Sequence, residues 1–439
     1  MRHSTEGRIG IGFGNPSVFL SADEPRLTQV GGVTSGKAVQ VTLQVDGEKR
    51  PRTSGLELSS TVSSTAVSVA YQVEVSVKGR AAATFLLRYL VQDGRLVVTC
   101  EFREVREGFD LLSVEVPVVS VKAARDASMV LPLGGGRLID IGKSGPSERR
   151  IADIPIGMVR QGDRGLLLDA GSGGEVAGSV YREVGRHTGE LRIVFRRSRG
   201  ARSDATVTPF DARGEQWWTE GARIVRGRIA GSIPPIVEGA LIYDLEAGGY
   251  EDALRVIQAV GNLTAGAPQV ACIDSAEGGA DFVRFVEAAK GHKAVIISPG
   301  DEYAADLGEH TGERFFTSEE SVPLVPFIYR GRFTGGRTDG QRSIPERLVW
   351  GGIARPRIGA ETDFAALAHD YYLVTVPLLH LANRTVSSFA REYARRTVVY
   401  DGGTVVKANY YTDSYEVYVD GEMVAGDYST ACPMPHGGW

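Results

Sequence analysis

Val67-Ser68-Val69-Ala70-Tyr71-Gln72-Val73-Glu74-Val75-Ser76-Val77 alternates apolar and small or polar residues without a break. A period of two over eleven residues is the pattern of a strand with one buried face. Downstream, Thr84–Val91 and Leu96–Phe102 repeat the alternation around Gln92-Asp93-Gly94-Arg95. Asp-Gly between two such runs predicts a hairpin. Further strands are expected at Ala38–Val45, Leu112–Val121, Arg164–Asp169 and Leu191–Arg196. Many strands at short spacing, with hardly a helical period among them, predict a large β-sandwich over residues 1–210. Gly134-Gly135-Gly136-Arg137 and Gly171-Ser172-Gly173-Gly174 lack the P-loop Lys-Ser/Thr and the strand–loop–helix setting of a dinucleotide fold, so they read as tight turns.

The pattern changes near Asp211. Trp218, Ala222, Val225 and Ile229 are spaced four, three and four apart, as on an amphipathic helix. Strands and helices then alternate: Glu238–Tyr243, helix Tyr250–Val260, Gln269–Ile273, helix Ala280–Ala289, Lys293–Ser298. Strand-like runs at Val322–Tyr329 and Arg347–Ile353 and a helix from Thr362 follow. Such alternation predicts parallel βαβ units. The span 211–395 is short for a barrel of about 250 residues, so a shortened (β/α) barrel is expected. Residues 396–439 return to β, with hairpins about Asp401-Gly402-Gly403 and Asp420-Gly421.

Composition excludes other classes. The 439 residues are 42% hydrophobic and 23% charged, ordinary for a globular chain. A net charge of −5 lacks the basic footprint of a nucleic-acid binder. No apolar run is long enough for a transmembrane helix, so neither nucleic acid nor membrane is an expected partner. Cys100, Cys272 and Cys432 form no CxxC or metal-ligand spacing. With a polar N-terminus after Met1, they point to a reducing, cytoplasmic compartment.

Four stretches resemble glycoside hydrolases of the endo-α-N-acetylgalactosaminidase type and their uncharacterised relatives. They are Gln216-Trp217-Trp218 through Ile229; Gly278-Gly279-Ala280-Asp281-Phe282 on to Ser298-Pro299-Gly300-Asp301-Glu302-Tyr303; Phe316-Thr317-Ser318-Glu319-Glu320 with Ile328-Tyr329-Arg330-Gly331; and Tyr400-Asp401-Gly402-Gly403-Thr404 to Asn409-Tyr410. The resemblance implies an N-terminal galactose-mutarotase-like β-supersandwich, a shortened (β/α) barrel and a small C-terminal β-sandwich. The relatives carry an extra βα unit or two between the positions of Tyr303 and Phe316, including the strand that bears the nucleophile. This chain has about a dozen residues there.

Glycoside hydrolysis needs two carboxyl groups, about 5–5.5 Å apart in retaining enzymes and about 6.5–9.5 Å apart in inverting ones. In an α/β barrel they sit beyond the C-terminal ends of strands. Asp274, Asp301 with Glu302, Glu319 with Glu320, and Asp244 with Glu246 all follow predicted strands. Acidic residues at such loops also cap helices, and Asp244 reads equally as a solvated loop charge. The family-like Thr-Ser-Glu segment makes Glu319 the expected acid/base, with Glu320 its rival and Asp274 or Asp301 its partner. Glu302, Tyr303 and Tyr329 in the family-like segments are expected at the substrate. Trp350 is the best-placed ring for stacking, among Trp217, Trp218, Tyr371, Tyr372, Tyr410 and Tyr411.

Glu302, Asp306 and His310 have i,i+4 spacing but no second cluster, so no metal site is assigned. Hydrolysis through two carboxylates needs no cofactor. The competing expectation is a non-catalytic relative that binds glycan or serves as an assembly component. A shortened barrel would expose strand edges, which predicts self-association.

Overall fold

In the computed structural model, strand Ser68–Val77 keeps its alternation in space. Val69, Tyr71, Val73 and Val75 are fully buried, whereas Gln72 and Glu74 are exposed. The structure describes residues 3–5, 7–12, 18–34, 37–124, 126–133, 136–144, 146–152, 154–171, 173–183, 185–214, 216–229, 241–273, 280–297, 322, 324–329, 357–365, 384, 386–409, 411–412 and 414–426.

The Asp93-Gly94 hairpin joins Arg80–Gln92 to Arg95–Val105, with Arg95 opposite Gln92. Both turn residues are left-handed, Asp93 at φ 49° and Gly94 at φ 73°, the geometry that matches strand twist. These strands belong to a nine-stranded antiparallel sheet running from Arg137–Asp140 at one edge to Leu56–Ser64 at the other. A five-stranded antiparallel sheet takes Ser147–Ile151, Gly174–Glu183, Arg186–Arg196, Phe109–Lys122 and Gln40–Val45 in spatial order. Residues 3–34 add a five-stranded meander. Phe85, Leu87 and Tyr89 of the large sheet share one continuous core with Leu191, Ile193 and Phe195 of the second and with Leu20 and Leu27 of the meander. Sheets that share an inner face in this way make a β-sandwich.

Cys100 lies in this core, where burial pushes its thiol far above the usual range. It packs as a small apolar side chain. Gly171, at φ 55°, turns the chain between strands Arg164–Asp169 and Gly174–Glu183, in keeping with the tight-turn reading.

Residue contacts divide the chain into two units, residues 1–133 with 137–221 and residues 134–136 with 222–439. In the second, strands Leu241–Leu245, Gln269–Cys272 and Ala294–Ile297 alternate with helices Tyr250–Leu263 and Ala280–Gly291. Val386–Glu392, Arg395–Tyr400, Val405–Asn409, Ser414–Val419 and Glu422–Gly426 form a separate five-stranded antiparallel meander. Among the described residues this part is one sheet. No helix of the described residues is long and apolar enough to cross a membrane.

The run Val322–Tyr329, expected as a strand, contains the helix Leu324–Tyr329 instead. A short apolar run does not distinguish the two by periodicity. Leu324, Phe327 and Ile328, three and four apart, are buried. Pro326 stands in the first turn, where its missing N–H costs no helical bond. The Arg226 guanidinium donates to the carbonyls of Phe327 (3.2 Å) and Ile328 (3.4 Å) at the open C-terminal end.

Candidate functional site

The βαβ units build a parallel sheet in the order Ala294–Ile297, Gln269–Cys272, Leu241–Leu245, Arg357–Ile358. The fourth strand comes from far along the chain, yet it pairs beside the first. Leu241, Tyr243, Leu245, Ala271 and Ala294 pack against Val256, Ile257, Val260, Phe285 and Ala289 of the two helices. Those five sheet residues therefore define the helix-covered face. Successive strand residues point to opposite faces, so Asp244 belongs to the face opposite these two helices, one residue from the end of its strand.

Asp244 is only 4% exposed. The reading of Asp244 as a solvated loop charge is thereby corrected: it is a residue of the strand itself, buried on the sheet face opposite the helices that Tyr243 and Leu245 pack against. Its register neighbours are Cys272 on one side and Arg357 on the other, and Cys272 is in turn opposite Ile297. In a (β/α) sheet the C-terminal strand ends are where loops gather reacting groups.

Several contacts fix this end of the sheet. The Glu246 N–H donates to the Ile358 carbonyl at 2.9 Å, tying the loop after the first strand to the fourth. Gly359 permits that approach, since a Cβ there would stand 3.0 Å from the Glu246 carbonyl oxygen. The Tyr250 ring stacks on Phe285 with centroids 5.1 Å apart, joining the start of one helix to the body of the other. At the opposite end, the Tyr243 hydroxyl donates to Gln269 Oε1 at 2.8 Å, and Gln269 Nε2 donates to the His292 carbonyl at 3.2 Å. Gln269 has no exposure, and these bonds satisfy the oxygen and one N–H of its buried amide.

Asp274, Asp301, Glu302, Tyr303, Glu319, Glu320 and Trp350 lie outside the described residues, as do His310, Tyr371, Tyr372 and Tyr410. Strand Gln269–Cys272 ends two residues before Asp274, and Ala294–Ile297 ends four before Asp301. Tyr329 is the last residue of helix Leu324–Tyr329. Among the described residues, no group of three or more His, Cys, Asp or Glu could hold a metal ion.

Two stacking candidates fall away. Trp217 and Trp218 are both buried. The Trp217 ring lies nearly parallel to Phe210, with centroids 6.2 Å apart, and the Arg160 guanidinium sits 5.6 Å from its centre. A sugar ring has no access to these faces. Tyr411, in contrast, is exposed.

No protein-family model matches the chain, and no curated protein matches it. Its fold is nevertheless similar to that of solved glycoside hydrolases. The α-N-acetylgalactosaminidase NagBb from Bifidobacterium bifidum, in its GalNAc complex, aligns with a TM-score of 0.57 at 8% identity, covering 95% of this chain and 99% of that one. The same enzyme in its Gal-NHAc-DNJ complex gives 0.55 at 9% identity, over 95% and 100%. An α-galactosidase from Lactobacillus brevis aligns at 0.34 and 9% identity, over 68% and 49%. The chain thus has a glycoside-hydrolase-like fold.

Proposed function

We propose that this chain is a glycoside hydrolase whose carboxylates stand at the C-terminal ends of strands in a shortened (β/α) barrel. The observation that carries the reading is Asp244. It is a carboxylate withdrawn from water on the face of the parallel sheet opposite helices Tyr250–Leu263 and Ala280–Gly291. A parallel sheet end in a fold of this kind is where glycosidic chemistry is set up, and a water-poor site strengthens every charge placed in it. Asp244 serves there as a fixed negative charge opposite the developing oxocarbenium ion. Glu319 is the proton donor and acceptor, with Glu320 its alternative, and Asp274 or Asp301 supplies the second carboxyl group. Glu302, Tyr303, Tyr329 and Trp350 bind the sugar. The solved neighbour's name and ligand make α-linked N-acetylgalactosamine the first sugar to offer.

The short run between Tyr303 and Phe316 favours a second reading, a relative that keeps the cleft and binds glycan without cleaving it. Hydrolysis of a panel of aryl α- and β-glycosides by the wild type, Glu319→Gln, Glu320→Gln and Asp244→Asn decides between them. Release that is lost in Asp244→Asn and in one of the two glutamate variants establishes the enzyme. No release from any aryl glycoside, with glycan binding intact, establishes the second reading.

A further inference from the structure

The C-terminal sheet, residues 386–426, has one apolar and one polar face. Val398, Tyr400, Val406, Ala408, Tyr415 and Val417 are buried. Their neighbours in sequence lie on the other side, and register arranges them in rows. Glu392, Arg395, Asn409 and Ser414 stand side by side across four strands, with Thr397, Lys407 and Glu416 in the next row. The Lys407 ammonium is 4.5 Å from the centre of the Tyr418 ring, and the Tyr418 hydroxyl donates to Glu416 at 2.8 Å. A polar outer face is ordinary for an antiparallel sheet.

The residues at its margin are not ordinary. Tyr393 and Tyr411 are each 83% exposed, so neither ring contributes to a core. Tyr393 occupies the turn between Val386–Glu392 and Arg395–Tyr400 with φ at 52°. Among the described residues, Lys78, Asp93, Ala265, Lys293 and Asp420 are the other non-glycine residues with left-handed φ, and Tyr393 is the one aromatic residue of the set. A bulky side chain in that region is strained. The fold bears this strain for a ring that it does not use. Tyr411 is held by an Asx turn, in which Asn409 Oδ1 accepts the N–H groups of Tyr411 (3.0 Å) and Thr412 (3.4 Å).

A cleft of about 600 Å³ is lined by both tyrosines together with Glu392, Ala394, Arg395 and Asn409. A second hollow of about 740 Å³ shares Glu392, Arg395 and Asn409 with it and continues along the rows to Ser414 and Glu416. Arg395 and Lys407 are balanced by Glu392 and Glu416, and Arg396, only 3% exposed, is turned to the buried side and donates to the Tyr393 and Arg395 carbonyls, so the open face offers no net charge to a polyanion. It does offer open aromatic faces and alternating donors and acceptors.

We propose that this groove binds a neutral oligosaccharide chain. Tyr393 and Tyr411 stack on the C–H faces of its sugar rings, and Glu392, Arg395 and Asn409 take its hydroxyl groups. The occupant's chemical class rests on the carbohydrate reading of the whole chain, while the site itself is independent of the strand-end carboxylates. The test is affinity gel electrophoresis of the full chain in gels containing a galactomannan, a mixed-linkage β-glucan or a desialylated mucin. At least one glycan retards the wild type, Tyr393→Ala and Tyr411→Ala each weaken retardation about tenfold, and the double variant runs free. Tyr393→Asn loses retardation while its melting temperature holds or rises, because the turn prefers asparagine. Wild-type migration unaffected by every glycan, or a double variant that is retarded like the wild type, overturns the site. Cleavage of an aryl glycoside without retardation removes this proposal and leaves the enzyme standing. Retardation without cleavage does the reverse.

Discussion

Lys37 brings its ammonium group to 3.1 Å from the carboxylate of Glu190, a side chain with no exposure to water. The same carboxylate pairs with Arg192 and accepts from the hydroxyls of Ser120 (3.4 Å) and Tyr181 (3.3 Å). Lys37 also lies 3.8 Å from the centre of the Tyr181 ring. Leu191 and Ile193 turn into the sandwich core, so alternation sends Glu190 and Arg192 to the other side of the five-stranded sheet. That side carries a closed polar network. Glu115 extends it, 3.3 Å from Arg192 and 3.0 Å from Arg149. Removing one member of a buried, charge-paired set strands the rest. Glu190→Gln is expected to cost about 3–5 kcal/mol, read as a lower urea midpoint at unchanged slope.

The same pair gives a dependence on alkaline pH. Burial works against the Lys37 charge, but hydrogen bonds to Tyr181 and Glu190 and the attraction of Glu190 outweigh it and raise the ammonium above its ordinary 10.5. A raised folded-state value stabilises fully below the unfolded value and is lost as pH climbs through the folded one. Lys37→Met should therefore unfold at lower urea than the wild type at neutral pH, and the gap should close above pH 10.5. A gap that stays constant through the alkaline range would contradict this origin.

Trp217 is a core residue, so Trp217→Ala should destabilise by about 3–5 kcal/mol in a chemical melt. Its glycan retardation, measured below the unfolding transition, should match the wild type. Loss of retardation in a folded Trp217→Ala protein would return this ring to the binding surface.

Gly136 is constrained in two ways. Its φ of 149° suits glycine, and a Cβ there would run into the Val322 carbonyl and lie 2.9 Å from the Leu324 nitrogen. The Val322 N–H donates to the Gly136 carbonyl at 3.0 Å, so the backbones have little room to part. Gly136→Ala should lower stability by about 1–3 kcal/mol in a thermal melt.

Asp244→Asn keeps the volume of the buried side chain and removes its charge. Under the enzyme reading, kcat on a responsive aryl glycoside should fall by at least about a hundredfold, with the far-ultraviolet circular dichroism spectrum unchanged. Activity equal to the wild type would assign Asp244 to the sheet alone.

Much of the β architecture is legible in the chain because each strand with one wet face writes a period of two. Ser68–Val77 and the hairpins at Asp93-Gly94 and Asp420-Gly421 follow that rule. Helix Trp218–Ile229 begins and ends where its apolar spacing says. The N-terminal meander and the strands Ala127–Leu131 and Ile156–Gln161 are harder to read. Their residues are buried on both faces or too few to display alternation. Leu324–Tyr329 misled for a related reason: six residues hold less than two helical turns, and every one but Pro326 is also at home in a strand.

The candidate site divides along the same line. Sequence places carboxylates after strands, since that requires only the strand's last apolar residue and the next acidic one. It does not say which are shielded. Asp244 looks like any loop aspartate until Tyr243 and Leu245 are seen against the helices. Tyr393 and Tyr411 lie eighteen positions apart in the chain, and only the register of two hairpins brings them to one cleft.

The chain by itself determined its β-sandwich, its βαβ run and its turns, because those depend on residues close in sequence. The tertiary structure alone decided that Arg357–Ile358 pairs beside Leu241–Leu245, that Asp244 is dry, that Trp217 is core and that Tyr411 is open. Periodicity assigns a side chain to a face. What lies against that face is set by segments distant in sequence, and burial, not pattern, gives a carboxylate or a ring its chemistry.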